Sequence, residues 1–305
     1  MTNLKQAVNH IIFDKISNYC QENNKECFVV GGYVRDFLLK RKSKDIDILV
    51  LGSGIEIAKN IAKQIDEKIQ VTVFKNFGTA YFKFQGFEIE FVGARKESYS
   101  SDSRNPNIEI GTFKDDINRR DFKINSMAIS LHPKNYGELI DMHNGLEDLK
   151  KKIINTPLDA KVTFSDDPLR MLRAVRFASQ LNFSVSESLI QTMKNLNSRI
   201  KIITNERVVD ELNKILLSDT PSVGLKLLEK TGLLDLILPE ITNLKGIDEI
   251  EGQKHKDNFY HTLEVLDNIC EATDNLLLRW AALLHDIGKA PTKKFNKKIG
   301  WTFHG

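Results

Sequence analysis

Two neighbouring stretches decide the fold: Cys27-Phe28-Val29-Val30-Gly31-Gly32-Tyr33-Val34-Arg35-Asp36, and Lys44-Asp45-Ile46-Asp47-Ile48. The first reads as a buried strand, stopped by two glycines and followed by a short helix from about Tyr33 to Lys40. Glycines at such a junction let the backbone approach a ligand closely, and a helix start offers free N–H groups to phosphate. Arg35, one turn inside, adds a charge-assisted donor. A Gly-Gly pair alone more often marks a plain turn. In the second stretch, Asp45 to Leu51 alternates polar and apolar residues as a half-buried strand does. With strand period two, Asp45 and Asp47 project from one face while Ile46 and Ile48 face the core. Adjacent like charges repel unless solvent or a cation separates them. The pair suits two Mg²⁺ ions, which take oxygen ligands and complete their shells with substrate phosphates. A lone Asp-x-Asp is usually a solvated edge strand, but glycines suited to phosphate just upstream change that weighing. Glu90 offers a third carboxylate, with Glu88 on the same face.

Outward from this centre, Leu4 to Tyr19 has the periodicity of an amphipathic helix with Ala7, Ile11, Ile12 and Ile16 on one stripe. Ile55 to Ile65 is also helical. Gln70 to Phe74, Thr79 to Phe84 and Phe87 to Val92 are strand-like, and Lys96 to Pro106, rich in Ser, Asp and Asn, reads as a mobile loop. From about residue 150 strand signals fade. Helical periodicity covers Asp166 to Gln180, Glu187 to Leu196 (capped by Ser186), Glu206 to Leu217 and Pro221 to Lys230. A further helical segment starts near Gly252.

The chain has 305 residues, 41% hydrophobic and 28% charged, with 44 Lys and Arg against 41 Asp and Glu. Mean hydropathy is −0.30 and the pI about 8.5. Mild basicity is compatible with an RNA partner without proving one. No apolar run approaches the roughly 20 residues that span a bilayer, and Met1 to Lys5 lacks a signal peptide's apolar core. Cys20, Cys27 and Cys270 have neither zinc nor disulfide spacing. A cytoplasmic globular protein is expected, and secreted, membrane-spanning, fibrous and disordered classes are excluded.

Gly-Gly-x-Val-Arg-Asp followed by Lys-Asp-Ile-Asp-Ile resembles the class II tRNA nucleotidyltransferase/bacterial poly(A) polymerase family. Asp116 to Asn125 (Asp-Ile-Asn-Arg-Arg-Asp-Phe-Lys-Ile-Asn) resembles the family's Arg-Arg-Asp-Phe-Thr-Ile-Asn motif, with Lys123 where Thr is usual. Asp141 to Leu149 matches the usual end of the family's head domain. The resemblance implies an α+β fold: a nucleotidyltransferase head with a mixed or antiparallel sheet at 1–150, a helical neck and body at 151–245, and the start of an all-α HD domain at 246–305. It implies that Asp45, Asp47 and Glu90 are catalytic, with Mg²⁺ on Asp45 and Asp47. It further implies that Gly31, Gly32 and Arg35 position phosphates and that Arg120, Asp121 and Asn125 frame the ribose.

Phe164 to Phe177 begins with a Ser suited to capping and acidic residues in its first turn, so Asp166 and Asp167 are explained equally by the helix dipole. Asp167 and Arg170 are three apart and can share a face. An aspartate accepts from an exocyclic amine and an arginine donates to ring nitrogen or carbonyl oxygen, so the pair would take cytosine or adenine and reject uracil or guanine. The resemblance assigns the pair that role, with Arg173 beside it. Glu206-Arg207-Val208-Val209-Asp210-Glu211 resembles a further motif whose Arg supports the nucleotide helix, although a Glu–Arg pair often has no such role.

His261, His285 and Asp286 resemble part of an HD metal shell. The chain stops at Trp301 to Gly305, before the family's usual Gly-His-Glu, which implies an incomplete, truncated HD site; His255 and His304 are expected to be ordinary polar residues. The resemblance thus implies template-independent addition of C, C and A to the tRNA 3′ end from CTP and ATP, with no membrane and no obligate protein partner. A poly(A) polymerase shares these motifs, but Gly78-Thr79-Ala80-Tyr81 stands where that branch carries a basic Gly-Arg-Arg-Phe-like stretch. An HD phosphohydrolase is weakened by the missing ligands. A non-catalytic RNA-binding protein leaves Asp45 and Asp47 unexplained.

Overall fold

The computed structural model describes residues 2–100, 103–250 and 252–303. The chain forms two compact units, residues 1–100 with 105–159, and residues 160–305 with the short stretch 101–104. In the first unit, β1 (Cys27–Val30), β2 (Asp45–Val50), β3 (Thr72–Phe74), β4 (Thr79–Phe84), β5 (Phe87–Gly93), β8 (Ala128–Ser130) and β9 (Leu139–Ile140) build one sheet in the order β3-β4-β5-β2-β1-β8-β9. Every pairing is antiparallel except β2 with β5. The mixed sheet expected from the sequence is present.

One sheet face is a core. Ile46, Ile48, Val29, Ala80, Phe82, Ile89 and Phe91 are at most 1% exposed. The helices α1 (Ile11–Glu22) and α3 (Gly54–Ile65) supply Ile12, Ile16, Ile57 and Ile61, all buried, to the same layer. The other face is divided. Towards β1 and β8, Phe28, Val30, Leu49 and Ala128 pack with Ile117 and Phe113 of α4 (Phe113–Asn118), whose start is closed by a capping box between Thr112 and Asp115. Towards β5 and β4 the same face is polar. Between β1 and β2 runs the short helix α2 (Gly32–Leu38).

Several expectations need correction. The first helix is broken: a 3₁₀ turn at Lys5–Val8 precedes α1, whose start is capped by the His10 ring accepting from Ile12 N–H. The break shifts the helical phase, so Ile11 faces solvent, 50% exposed, rather than joining the stripe. Cys20 and Cys27 are joined in a disulfide between the end of α1 and the start of β1. Their separation of seven carries no pairing signal; a tight helix-to-strand turn brings their Cα atoms to 6.7 Å. Within the stretch Lys96 to Pro106 expected as a loop, 96–100 and 103–106 are strand instead, in β6 (Arg95–Ser100) and β7 (Ser103–Ile110), paired with each other; 101 and 102 lie outside the described residues. A two-stranded ribbon needs only backbone hydrogen bonds, so its polar composition hides it.

The second unit is mainly helical after α5 (Gly145–Lys151) closes the first. It holds α6 (Ala160–Asp166), α7 (Leu169–Leu181), α8 (Glu187–Leu196), α9 (Asn205–Leu216), α10 (Pro221–Lys230), α11 (Leu234–Ile237), α12 (Pro239–Thr242), α13 (Asn258–Ala272), α14 (Leu276–Leu284) and α15 (Lys289–Thr292). The helix expected from Asp166 is interrupted at Asp167-Pro168, because proline lacks the N–H a continuous helix needs. Ser165 therefore lies in the last turn of α6 and caps nothing in α7. Ser186 does cap α8, accepting from Leu189 N–H. The C-terminal stretch adds a hairpin of Lys294–Asn296 with Gly300–Thr302 to its helices. No helix among the described residues is long and apolar enough to cross a membrane.

Because β2 carries both aspartates and is held by its core side, Ile48→Ala is expected to destabilise the first unit by about 2–5 kcal/mol. Urea denaturation reads this, and an unchanged first transition would contradict the packing described.

Candidate nucleotidyl-transfer site

The register of β2 with β5 sets Asp45 beside Glu88 and Asp47 beside Glu90. Four carboxylates thus stand in two rows on the polar side of the sheet. Glu88 is exposed and paired with Lys83 of β4 at 2.5 Å. Asp45 is exposed, while Asp47 and Glu90 are half-buried. Burial, with Glu90, Asp45 and Asp116 adding repulsion, pushes the Asp47 carboxyl up to about 6 against the counter-pull of Arg120.

Asp47 is opposite Val30 across β1, so the next residue, Gly31, comes against it. Gly31 has φ +75°, which strains any side chain, and a Cβ there would lie 3.1 Å from Arg120 Nη1 and 3.3 Å from Asp47 Oδ2. Only glycine leaves this corner open. Glycine, carboxylate and guanidinium therefore meet at one point, although 16 residues separate Gly31 from Asp47 and far more separate it from Arg120.

Arg120 arrives there because α4 is anchored on the same face and because Asp116, fully buried, holds it. Asp116 Oδ2 accepts from Arg120 Nη2 at 2.9 Å and Nε at 3.2 Å, and its other oxygen is paired with Arg119. Arg119 also reaches Glu97 at 3.1 Å. The sequence motif gives Asp116 no role of its own, yet its spacing of three and four from Arg119 and Arg120 is the helical spacing that brings such side chains together.

The remaining predicted head residues form a second, linked network. Arg35 donates to Asn125 Oδ1 at 2.7 Å and to both oxygens of Asp36. Asn125 Nδ2 donates in turn to Asp121 Oδ1 at 3.0 Å, which also accepts from Phe122 N–H. Arg35, Asp121 and Asn125 are each buried. Arg120 Nη1 reaches the Asn125 carbonyl at 3.4 Å and so ties the two networks. Gly32 lies beside Arg35, with 3.6 Å from its would-be Cβ to Nη2.

In the second unit, Asp167 Oδ1 accepts from Leu169 N–H at 3.1 Å, and Arg170 N–H closes on the Asp167 carbonyl at 3.0 Å. Asp167 and Arg170 thus stand together at the first turn of α7. Arg173 and Arg176 flank the Phe177 ring at 5.5 and 4.3 Å. From the Glu206–Glu211 segment, it is Glu211 that reaches α7, pairing with Arg176 at 3.2 Å in a buried position. His261, His285 and Asp286 have ligand atoms all within 4.8 Å of one another, the one such trio among the described residues. Lys256 Nζ is 3.0 Å from His261 Nδ1, and Lys289 Nζ is 2.7 Å from Asp286 Oδ2. His255 accepts from Asp248 N–H and packs edge-on against Trp301, as a structural residue does. His304 lies outside the described residues.

The sheet face thus combines paired carboxylates, a glycine corner and a clamped arginine on one mixed sheet. Comparison with known proteins narrows this. Residues 27–155 match the family described as "Poly A polymerase head domain", 182–245 match "Probable RNA and SrmB- binding site of polymerase A", and 258–305 match "HD domain". The chain is 40% identical over 214 residues to an A-adding tRNA nucleotidyltransferase of Aquifex aeolicus, covering 69% of this chain and 25% of that protein. It is 34% identical to a multifunctional CCA protein of Shewanella frigidimarina, covering 88% of this chain and 63% of that one. A tRNA nucleotidyltransferase crystallised with a primer tRNA and an incoming ATP analogue superposes with a TM-score of 0.72 at 31% identity, over 89% of this chain and 75% of that chain. The chain belongs to the tRNA nucleotidyltransferase/poly(A) polymerase family. It spans between a quarter and just under two thirds of the length of the curated relatives it matches.

The raised Asp47 pKa fixes a sign. Below about pH 4 the carboxyl is protonated folded or unfolded, and it costs nothing. Between about 4 and 6 the unfolded chain ionises first, so metal-free stability falls as pH rises. Asp47→Asn removes that loss and is expected to stabilise the EDTA-treated protein at pH 7 by roughly 2–3 kcal/mol, the gain vanishing towards pH 4. Chemical denaturation at both pH values checks it; an equal effect at both would contradict the assignment.

Proposed function

We propose that this chain adds C, C and A to the 3′ end of tRNA from CTP and ATP, without a nucleic-acid template and with release of pyrophosphate, in the cytoplasm. The observation that carries the reading is the convergence of Gly31, Asp47 and Arg120 beside the Asp45–Glu90 carboxylates. Family membership and the likeness to an enzyme crystallised with primer tRNA support it.

The carboxylate row fits hard divalent cations, here Mg²⁺: it offers only oxygen donors, and burial, with the repulsion of Glu90, Asp45 and Asp116 added, disfavours the bare Asp47 charge that a bound cation would offset. Asp45 and Asp47 would hold two ions, with Glu90 beside them. Bound there, the ions would supply Lewis acidity to the attacking 3′-hydroxyl and to the α-phosphate. The chain's own groups do the positioning. The Gly31-Gly32 corner admits the triphosphate close to the backbone, Arg35 lends charge to the phosphates, and Arg120 adds positive charge at the Asp47 corner. Asp121 and Asn125 frame the ribose. Asp167 accepts from the exocyclic amine of cytosine or adenine, and Arg170, with Arg173 further along α7, donates to the remaining edge. In this reading 1–150 is the catalytic head, 151–245 reads base and RNA, and 246–305 begins an HD domain. The convergence of His261, His285 and Asp286 favours, as a second reading, a metal-dependent phosphohydrolase there, but two lysine ammoniums already pair with two of its three groups.

The direct test is to sequence the products formed from tRNA lacking CCA with all four NTPs. Asp45→Ala or Asp47→Ala is expected to abolish incorporation with Mg²⁺ supplied and the fold intact by circular dichroism. Near-normal transfer by either variant would overturn the metal assignment.

Base choice has its own test. Asp167→Ala is expected to weaken CTP and ATP use and to shrink their advantage over UTP by about one to two decades, because a buried donor or acceptor left mispaired costs roughly 1–3 kcal/mol. Single-nucleotide incorporation measures it. A lower overall rate with the wild-type CTP-to-UTP ratio would mean that Asp167 serves only the start of α7, where it already bonds Leu169.

A further inference from the structure

We propose that the sheet face bearing Asp45 and Asp47 continues into an aromatic platform, Tyr81 with Phe74, on which the unpaired bases at the 3′ end of the RNA substrate stack. The inference rests on the function proposed above and adds to it the place where the primer end is held.

The register supplies the geometry. Asp47 is beside Glu90, and Glu90 is beside Tyr81 on β4. Directly paired residues point to the same side, so Tyr81 stands on the carboxylate face, two interstrand spacings or about 10 Å from Asp47. Phe74 of β3 pairs with Thr79, which lies two residues before Tyr81 on β4, and so shares that face. Its ring is stacked with the Tyr81 ring, centroids 6.0 Å apart and planes 11° apart, so the two rings present parallel faces on which a base could continue the stack. Phe74 is 43% exposed, and Phe77, in the turn between β3 and β4, is 62% exposed.

The core does not need these rings. Along β4 the inward positions are Ala80 and Phe82, and Phe82 stacks on Phe91 within the buried layer. β3 is the edge of the sheet, where an exposed aromatic residue invites unwanted pairing and is ordinarily avoided. An aromatic face that continues a row of polar residues is suited to a ligand which is itself flat and charged. Single-stranded nucleic acid has that chemistry: bases stack on aromatic rings while phosphates remain in water near cations. Lys75, in the turn, is exposed and supplies such a cation, while Lys83, two residues beyond Tyr81 on the same face, is exposed and already paired with Glu88. Stacking is indifferent to base identity, since every base has a π-face. That property suits a primer whose terminal base changes with each nucleotide added, whereas hydrogen-bond readout would not. A protein ligand would have to cover the carboxylates together with the rings, leaving their charge without solvent.

The experiment uses the full chain, a tRNA-like hairpin with a single-stranded 3′ tail carrying 2-aminopurine, and the same hairpin with a blunt end. The wild type is expected to quench the probe on binding. In Phe74→Leu/Tyr81→Leu the quenching is lost and the KM for the tailed primer rises roughly tenfold, with the KM for CTP and the affinity for the blunt hairpin unchanged. Tyr81→Phe keeps both quenching and primer KM. Wild-type quenching and primer KM in the double variant overturn the platform, as does an equal loss of tailed and blunt RNA, which marks a merely structural role. A wild type that transfers no nucleotide to any primer refutes instead the function on which the inference rests.

Discussion

The parallel pairing of β2 with β5 is the constraint on which the site depends. It aligns Asp45 with Glu88 and Asp47 with Glu90, concentrating negative charge on one side of a sheet whose other side is tightly packed core. The packing prevents a register slip, because moving β2 by one residue would bury the aspartates and expose Ile46 and Ile48. The repulsion is therefore held in place, and neighbouring features answer it. Arg120 stands at Asp47, and the buried Asp116 carboxylate fixes Arg120 and Arg119 together. A lone arginine at that point would be free to swing onto Asp47 and neutralise it; clamped by Asp116, it lowers the cost of the charge without cancelling it.

The first-unit networks meet through the backbone as well as through side chains. Arg120 touches the Asn125 carbonyl, Asn125 bridges Arg35 and Asp121, and Arg35 belongs to the helix that follows Gly31. Arg35, Asn125 and Asp121 are buried, Arg120 is largely so, and all are already hydrogen-bonded, so their geometry is set before any substrate arrives. Such preorganisation is what electrostatic catalysis requires.

Much of this was legible in the sequence. Period-two alternation placed Asp45 and Asp47 on one face, and the strand, glycine turn and helix around Gly31 appeared where Cys27 to Lys40 predicted them. The ends of α8 and α10 followed from Ser186 and Pro221. What escaped has physical reasons. Long-range pairing brought Gly31 to Arg120, and no local pattern encodes a contact between residues so distant. The β6–β7 ribbon is held by backbone hydrogen bonds, to which side-chain patterning is blind. Asp166 and Asp167 have the acidic composition of a helix start, yet Asp167-Pro168 is a break between two helices, because the apolar periodicity runs on through a proline that cannot donate to the helix. Cys20 and Cys27 meet only because a helix and a strand happen to turn back on each other there.

The central claim is that the Asp45–Asp47 row is a divalent-cation site made by the sheet register. Mn²⁺ binding followed by electron paramagnetic resonance, with Mg²⁺ as competitor, tests it most directly, using wild type, Asp47→Asn and His285→Ala. The account predicts that Asp47→Asn loses Mn²⁺ that Mg²⁺ displaces from the wild type, while His285→Ala keeps it. Undiminished, Mg²⁺-displaceable binding in Asp47→Asn, or its loss in His285→Ala alone, would contradict the account.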